Sequence, residues 1–310
     1  MFAASVPATT PEPTPGFWVH DLDPFIFRFP DGWFLEGVRW YGAAYLAGFI
    51  FGAVMLHFYY KKGRSPLDSD AQANFMLALI VGVLAGARLG YMLFYAFGEL
   101  CANPLSVFQV WQGGMSSHGG MLGTVLATWI FARRQKCSFL QLGDIIASLA
   151  PAGVFFGRLA NFVNGELWGR ETTVPWAVIF KYEKYNPFTG TPEIAYLLPR
   201  HPSQLYAAAA EGLLILAWTQ LRFWKKTPLP RGQIIGEACL LYALVRIADE
   251  FFREPDVGVS FILGMTRGQF YSVLLAIAGA AFLVASRKFG RGNAQNPPEN
   301  PEKSDGGNAS

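Results

Sequence analysis

Charge is scarce in this sequence. Asp, Glu, Lys and Arg make up 15% of its 310 residues, against about 25% in ordinary globular chains. Length alone would suggest roughly two soluble domains of about 150 residues, yet too few water-facing side chains are present to coat them. Cysteine is scarce as well. Cys101, Cys137 and Cys239 are odd in number and lack CxxC spacing, which argues against a disulfide framework or a zinc site. A net charge of +3 is too small to imply a polyanionic partner, so nucleic acid is not expected. The opening stretch MFAASVPATTPEPTPG has no basic region before an apolar core and does not read as a cleavable signal peptide. Nor is there a transporter-type internal repeat. A soluble enzyme, a disordered chain and a nucleic-acid binder are therefore excluded as first readings.

Long neutral stretches are abundant instead. Residues 40–60, 100–132 and 268–286 contain no Asp, Glu, Lys or Arg, and the first and last approach the ~20 residues that cross a bilayer as helix. The expectation is an all-α polytopic membrane protein of about seven transmembrane helices. Spans are expected near Trp40–Tyr60, Phe75–Phe97, Gly119–Ala132, Leu140–Phe156, Leu205–Leu221, Ile234–Phe251 and Gln269–Ser286. Basic residues cluster after spans one (Lys61, Lys62, Arg64), three (Arg133, Arg134, Lys136), five (Arg222, Lys225, Lys226, Arg231) and seven (Arg287, Lys288, Arg291). These segments fall on one side of the membrane, which predicts an outer N-terminus, a cytoplasmic C-terminus and an odd span count.

That topology divides the chain into an extracytoplasmic N-terminal segment (1–36), spans one to four (37–156), an extracytoplasmic segment (157–204), spans five to seven (205–290) and a polar, Pro/Gly/Asn-rich tail (291–310) expected to be disordered. The 157–204 segment contains a β-like apolar run, Val174 to Phe180, and predicts a small cap with short strands.

Ionisable side chains at membrane depth are costly and face a bundle interior or a wet cavity. Arg88, Asp144, Arg158, Glu211, Glu237, Arg246, Asp249, Glu250 and Arg253 all fall there. Tyr242, Arg246, Glu250 and Arg253 form one helical stripe. Either it is an ion-pair ladder tying helices together, or its two Arg to one Glu leave positive charge for an anion such as phosphate. In WQGGMSSHGGMLG, glycines surround His118, which is equally readable as a proton acceptor or a structural histidine. Gly48/Gly52, Gly82/Gly86/Gly90 and Gly119/Gly123 have the GxxxG spacing of close helix packing. In GRLANFVNGELWGR (157–170), Arg158 and Asn161 share a helical face, while Asn164 and Gly165 would end the helix and turn Glu166 and Arg170 back toward the membrane. This is readable as a capped helix end or as a phospholipid-headgroup site.

The 157–170 block resembles the signature of the prolipoprotein diacylglyceryl transferase family. Further blocks occur in the family's order: Trp40–Tyr41–Gly42, Gly86–Ala87–Arg88 with Gly90–Tyr91, and Gly113–Gly114–Met115–Ser116 with His118–Gly119–Gly120. Arg200 through Tyr206, Arg246 through Asp256 and Gly268–Gln269 follow. The resemblance covers roughly residues 20–290. Phe270–Tyr271–Ser272 departs mildly, since relatives tend to be aliphatic before the serine. The resemblance implies a seven-span bacterial inner-membrane enzyme acting on its outer face. It would transfer the diacylglyceryl group of phosphatidylglycerol to the lipobox cysteine of prolipoprotein signal peptides, releasing glycerol 1-phosphate, with no metal or cofactor. It carries Tyr41, His118, Arg158, Asn161, Glu166, Gly169, Arg246 and Glu250 as site residues.

Within that reading Arg158 and Arg246 are expected to hold the phosphate, and Asn161 and Tyr41 to orient headgroup hydroxyls. Glu166 and Glu250 would position the arginines or bind glycerol, and His118 would accept the thiol proton. Arg88 is expected to be structural. A non-enzymatic lipid-binding or lipid-translocating protein is the alternative that composition leaves open. A CDP-alcohol phosphotransferase is disfavoured by the missing DxxDG motif, and an intramembrane aspartic protease by the absence of a matching motif around Asp144 and Asp249.

Overall fold

The computed structural model describes residues 8–30, 32–33, 36–109, 113–185, 191–227, 229–255, 262 and 264–289. The tail expected to be disordered lies outside these residues, as do Trp111, Gln112 and Asp256 of the motif blocks. Most of the described chain is helical. The long helices are α1 (Trp40–Lys61), α2 (Ser69–Phe94), α4 (Ser117–Arg134), α5 (Phe139–Val163), α8 (Gln233–Asp249) and α9 (Arg267–Phe289). A short α3 (Phe97–Ala102) and a 3₁₀ turn (Pro104–Phe108) follow α2, and α6 (Ser203–Ala207) continues through a π-helical stretch, Ala208–Leu214, into α7 (Ile215–Phe223). Four of these, α1, α2, α5 and α9, are long and apolar enough to cross a membrane.

Sequence dictates these helices locally. Asp68 caps α2 by accepting from the Ala71 amide at 2.8 Å, and Ser116 caps α4 by accepting from Gly119 at 3.3 Å. The Gly82/Gly86/Gly90 and Gly119/Gly123 spacings prove to be packing devices, whereas Gly52 of the Gly48/Gly52 pair meets only the Met76 side chain at 3.7 Å. Gly82, Gly86 and Gly90 of α2 lie against Gly119 and Gly123 of α4 so closely that a Cβ on Gly86 or Gly123 would strike the facing backbone carbonyl. Helix α5 is the centre of the bundle: half of its apolar window is buried, against 11% for α1 and α9, and it packs on α1, α4, α6, α7 and α8. Its Asp144 carboxylate accepts the Gly232 and Ile235 amides at 2.7 and 2.9 Å, which satisfies the N-terminus of α8 across the bundle. Leu56, Phe75, Phe131, Leu142, Ile145 and Ile234 fill the core at this end.

At the other end of α5 lies a group of short strands: β1 (Thr9–Thr10), β2 (Trp18–Val19), β3 (Phe25–Arg28), β4 (Gly37–Arg39), β5 (Val178–Ile179), β6 (Lys181–Tyr185) and β7 (Pro192–Leu197). They form a three-stranded sheet ordered β1-β7-β6, a parallel β2–β5 pair and an antiparallel β3–β4 hairpin. The N-terminal segment thus supplies strands to the same structure as residues 178–197.

Three expectations change. The apolar run from Val174 to Phe180 is strand only at Val178–Ile179, because Pro175 opens a turn before it. The fourth helix continues to Val163, so Arg158 and Asn161 are anchored in regular helix. The fifth span is interrupted by the π-helical stretch, which hydropathy cannot report.

Candidate active site

The C-terminal end of α5 carries the candidate site. Helix α5 stops at Asn164, and Gly165 at φ +67° reverses the chain with no Cβ to strain. That reversal returns Glu166 toward the helix. Its carboxylate accepts from the Tyr41 hydroxyl and, at 3.1 Å, from Asn161 Nδ2, which also donates to the Tyr41 oxygen. One side chain from the start of α1, one from α5 and one from the loop therefore close a triangle. Gln204, at the start of α6, fixes the same loop by donating to the Glu166 carbonyl at 2.6 Å. Arg170, expected to turn back with Glu166, does not join this triangle. It is exposed and donates to the Arg253 carbonyl at 3.1 Å, because Gly169 pairs its backbone with His201 and Arg253 and carries the following residue outward.

One helical turn before Asn161, Arg158 enters an ionic cluster. Its Nε and Nη2 both donate to Glu211 Oε2, at 3.0 and 2.7 Å, and Tyr242 donates to the same oxygen at 3.2 Å. Arg246 meets three acids: Asp249 at 3.0 Å, Glu250, and Glu211 Oε1 at 3.5 Å. Arg253 approaches Glu250 at 3.9 Å. The stripe along α8 is therefore an ion-pair network, and the excess positive charge counted on that helix alone is cancelled. Glu211 arrives from the π-helical stretch and Asp249 from the same turn of α8 as Arg246, giving Arg158, Arg246 and Arg253 three carboxylates in Glu211, Asp249 and Glu250. One edge is left over. Arg158 Nη1 makes no hydrogen bond among the described residues, and that side chain keeps 18% of its surface.

Backbone glycine lets α9 close over the cluster. A Cβ on Gly268 would collide with the Arg246–Glu250 pair. One turn along, Tyr271 meets His118 with ring centroids 4.1 Å apart. His118 thus stands in the first turn of α4, one side chain away from the α9 segment that touches Arg246. Its entry loop is held by Arg88, which is buried and donates to the carbonyls of Ser106 at 2.6 Å, Val107 at 3.1 Å, Gly113 and Gly114 at 3.2 Å. All four are main-chain acceptors, which is a clasp.

A second clasp joins the cap to the cluster. Arg200, 1% exposed, donates to the Gly169 carbonyl at 3.0 Å and pairs with Glu171 and Glu254, each at 3.3 Å. Gly169 is enclosed so tightly that a Cβ would strike His201 and the Phe252 carbonyl. His201, beside Phe252 and Tyr206, has its imidazole held below the ordinary range by burial.

The structure therefore brings Tyr41, Asn161 and Glu166 together, places Arg158, Arg246 and Glu250 in a network one helical turn away, and sets His118 against Tyr271 and Gly169 against Phe252 and Arg253. In the sequence, Glu211 and Arg200 read only as an embedded acid and a motif residue. No group of three or more His, Cys, Asp or Glu side chains suited to a metal occurs among the described residues.

A family model described as prolipoprotein diacylglyceryl transferase matches residues 33–285. A phosphatidylglycerol–prolipoprotein diacylglyceryl transferase of Rhodospirillum rubrum is 44% identical over 256 residues, covering 81% of this chain and 89% of the relative. Proteins of the same name from Idiomarina loihiensis and Rhizobium meliloti are each 40% identical over 278 residues. They cover 89% and 86% of this chain, and 98% and 93% of their own lengths.

Proposed function

The chain belongs to the prolipoprotein diacylglyceryl transferase family, and we propose that it moves the diacylglyceryl group of phosphatidylglycerol onto a cysteine thiol of prolipoproteins at the Arg158–Arg246 site. The carrying observation is the pair of guanidinium groups held side by side through Glu211, with one Arg158 edge open. The thiol is that of the lipobox cysteine in the signal peptide. Its sulfur attacks the glyceryl carbon next to the phosphate, a carbon–sulfur bond forms, and the carbon–oxygen bond to the phosphodiester breaks. Glycerol 1-phosphate leaves, and the thiol proton passes to an acceptor.

A thiol with an ordinary pKa near 8.5 is mostly protonated at neutral pH, so its attack needs a base or local positive charge. His118 takes that proton. Arg158 and Arg246 stabilise charge that grows on the leaving phosphate. Asn161 and Tyr41, already locked to Glu166, present polar groups to the headgroup glycerol, and Glu250 holds Arg246. Gly169 lets the cap loop pass close to the end of α8. This chemistry calls for no cofactor.

The membrane arrangement follows. Seven spans, α1, α2, α4, α5, α6–α7, α8 and α9, cross the bacterial inner membrane with the N-terminus and strand cap outside and the C-terminus in the cytoplasm. In support, Lys61, Arg134 and Arg222 stand in the last turns of the helices that would descend, and Arg64 and Lys225 follow them; Arg64 donates to the Lys225 carbonyl at 2.9 Å, tying two of these basic ends together. Tyr41, Glu166 and the strands lie at the opposite ends of α1 and α5.

Purified protein in mixed micelles of phosphatidylglycerol and a lipobox peptide tests the reading. The peptide is expected to gain a diacylglyceryl mass, with one glycerol phosphate released per thiol consumed. Lipid binding or movement without thiol consumption would establish the translocating alternative instead.

A further inference from the structure

Glu211 links the two arginines but has been given no part of its own in the reaction. It is fully buried and sits in the π-helical stretch between α6 and α7. The wider turn lets the chain close on α5, where a Cβ on the neighbouring Gly212 would meet the Phe155 backbone at 2.7 Å. Phe155 lies one turn before Arg158, so the same feature brings the carboxylate to that arginine. Oε2 is filled by Arg158 Nε, Arg158 Nη2 and the Tyr242 hydroxyl. Oε1 faces Arg246 at 3.5 Å and has no hydrogen-bond partner. One carboxylate thus joins α5 to α8 through both arginines.

We propose that Glu211 is a positioning residue for the transfer reaction, holding the Arg158 and Arg246 guanidinium planes in register for one phosphodiester. This rests on the phosphate-binding reading above. Glu211 occupies the inner edge of Arg158 and leaves the outer edge to the lipid anion. A buried acid shared by two cations also keeps their combined charge from holding the headgroup too tightly before the carbon–oxygen bond breaks, so its effect belongs to turnover more than to affinity.

The Glu211→Gln enzyme, assayed in micelles with phosphatidylglycerol and a lipobox peptide, is expected to lose about tenfold or more in kcat while KM for the lipid stays level or falls. Glu211→Asp keeps the charge but withdraws it by one methylene, and is expected to recover part of that kcat. A purely structural residue would lower the yield of folded protein and leave both constants of the folded fraction unchanged. The inference is overturned by a Gln variant whose kcat lies within about twofold of the parent. If Gln does not fold, an Asp variant with the parent's kcat overturns it equally. Parent protein that consumes no thiol refutes the transferase reading itself, so the two failures are separable.

Discussion

Replacing Arg246 by Lys tests the phosphate assignment most directly. The guanidinium uses a different nitrogen for each of three carboxylates: Nη1 for Asp249 at 3.0 Å, Nη2 for Glu250, and Nε toward Glu211 at 3.5 Å. An ammonium is a point charge with three rotating donors, so it retains the charge and loses the planar fork. A charge-assisted hydrogen bond is worth about 1.5–3 kcal/mol. Losing two oriented contacts to the phosphate in the transition state therefore removes about 3 kcal/mol, or roughly a hundredfold in kcat/KM at 1.36 kcal/mol per decade. Because the positive charge remains among its acids, the yield of folded protein should change little. The assay is glycerol phosphate release at several lipid concentrations, with thermal unfolding of the same preparation as a control. A Lys variant within about threefold of the parent kcat/KM would refute bidentate recognition by this side chain.

Four further outcomes are expected. His118→Gln should lower turnover about a hundredfold at unchanged lipid KM, and near-normal turnover would remove the base assignment. Arg88→Ala leaves four carbonyls without their donor, at about 1–3 kcal/mol for each that stays dry. Detergent-stable yield should fall at least as far as specific activity. Gly123→Val forces apart α2 and α4, whose backbones touch there, and should destabilise by about 3 kcal/mol, read as a lower unfolding temperature. Finally, His20 is buried among Trp18, Phe162 and Phe180, and burial holds its imidazole below the ordinary range. The folded cap therefore binds that proton less readily than the unfolded chain, so its stability contribution is full above about pH 6.5 and is lost as pH falls below it. His20→Leu should flatten the drop in unfolding temperature between neutral and acidic buffer.

The parts of the fold governed by apolar length were readable in advance. Helix α1 begins at Trp40 as expected, and α9 spans the neutral stretch after Arg267. The helix-facing glycines were readable too, because GxxxG spacing is a direct consequence of backbone contact. Strand pairing was not. β2 and β5 are two residues each and join segments about 160 positions apart, so neither carries a period long enough to recognise. The site was legible where it follows the chain, as in Arg158 with Asn161, and illegible where it crosses it. The acid for Arg158 is Glu211, 53 residues away, on a helical stretch whose π geometry no hydrophobic pattern encodes.

That cross-chain pairing also bears on the proposal that a charge-balanced cluster binds phosphate. Burying three arginines and three carboxylates carries desolvation costs that their mutual attraction only partly offsets, and an apolar replacement of such a network is often neutral or stabilising. A merely structural tie between α5 and α8 would be better built from leucine. What the ionic version supplies is exchangeability. Glu211 Oε1 and Asp249 Oδ1 are buried without hydrogen-bond partners, so the network is incompletely satisfied, and Arg158 retains an unbonded edge. On the proposed reading, a phosphodiester entering at that edge takes donors from the carboxylates and returns them when glycerol 1-phosphate departs. Replacing Asp249 by Asn bears on this directly. It removes one negative charge beside Arg246 while keeping an oxygen acceptor, so lipid KM should fall by a fewfold while release of the product phosphate slows. Pre-steady-state measurement would then show a burst of modified peptide followed by a slower steady rate. If KM instead rises and no burst develops, the acids around Arg246 are not in exchange with the lipid anion.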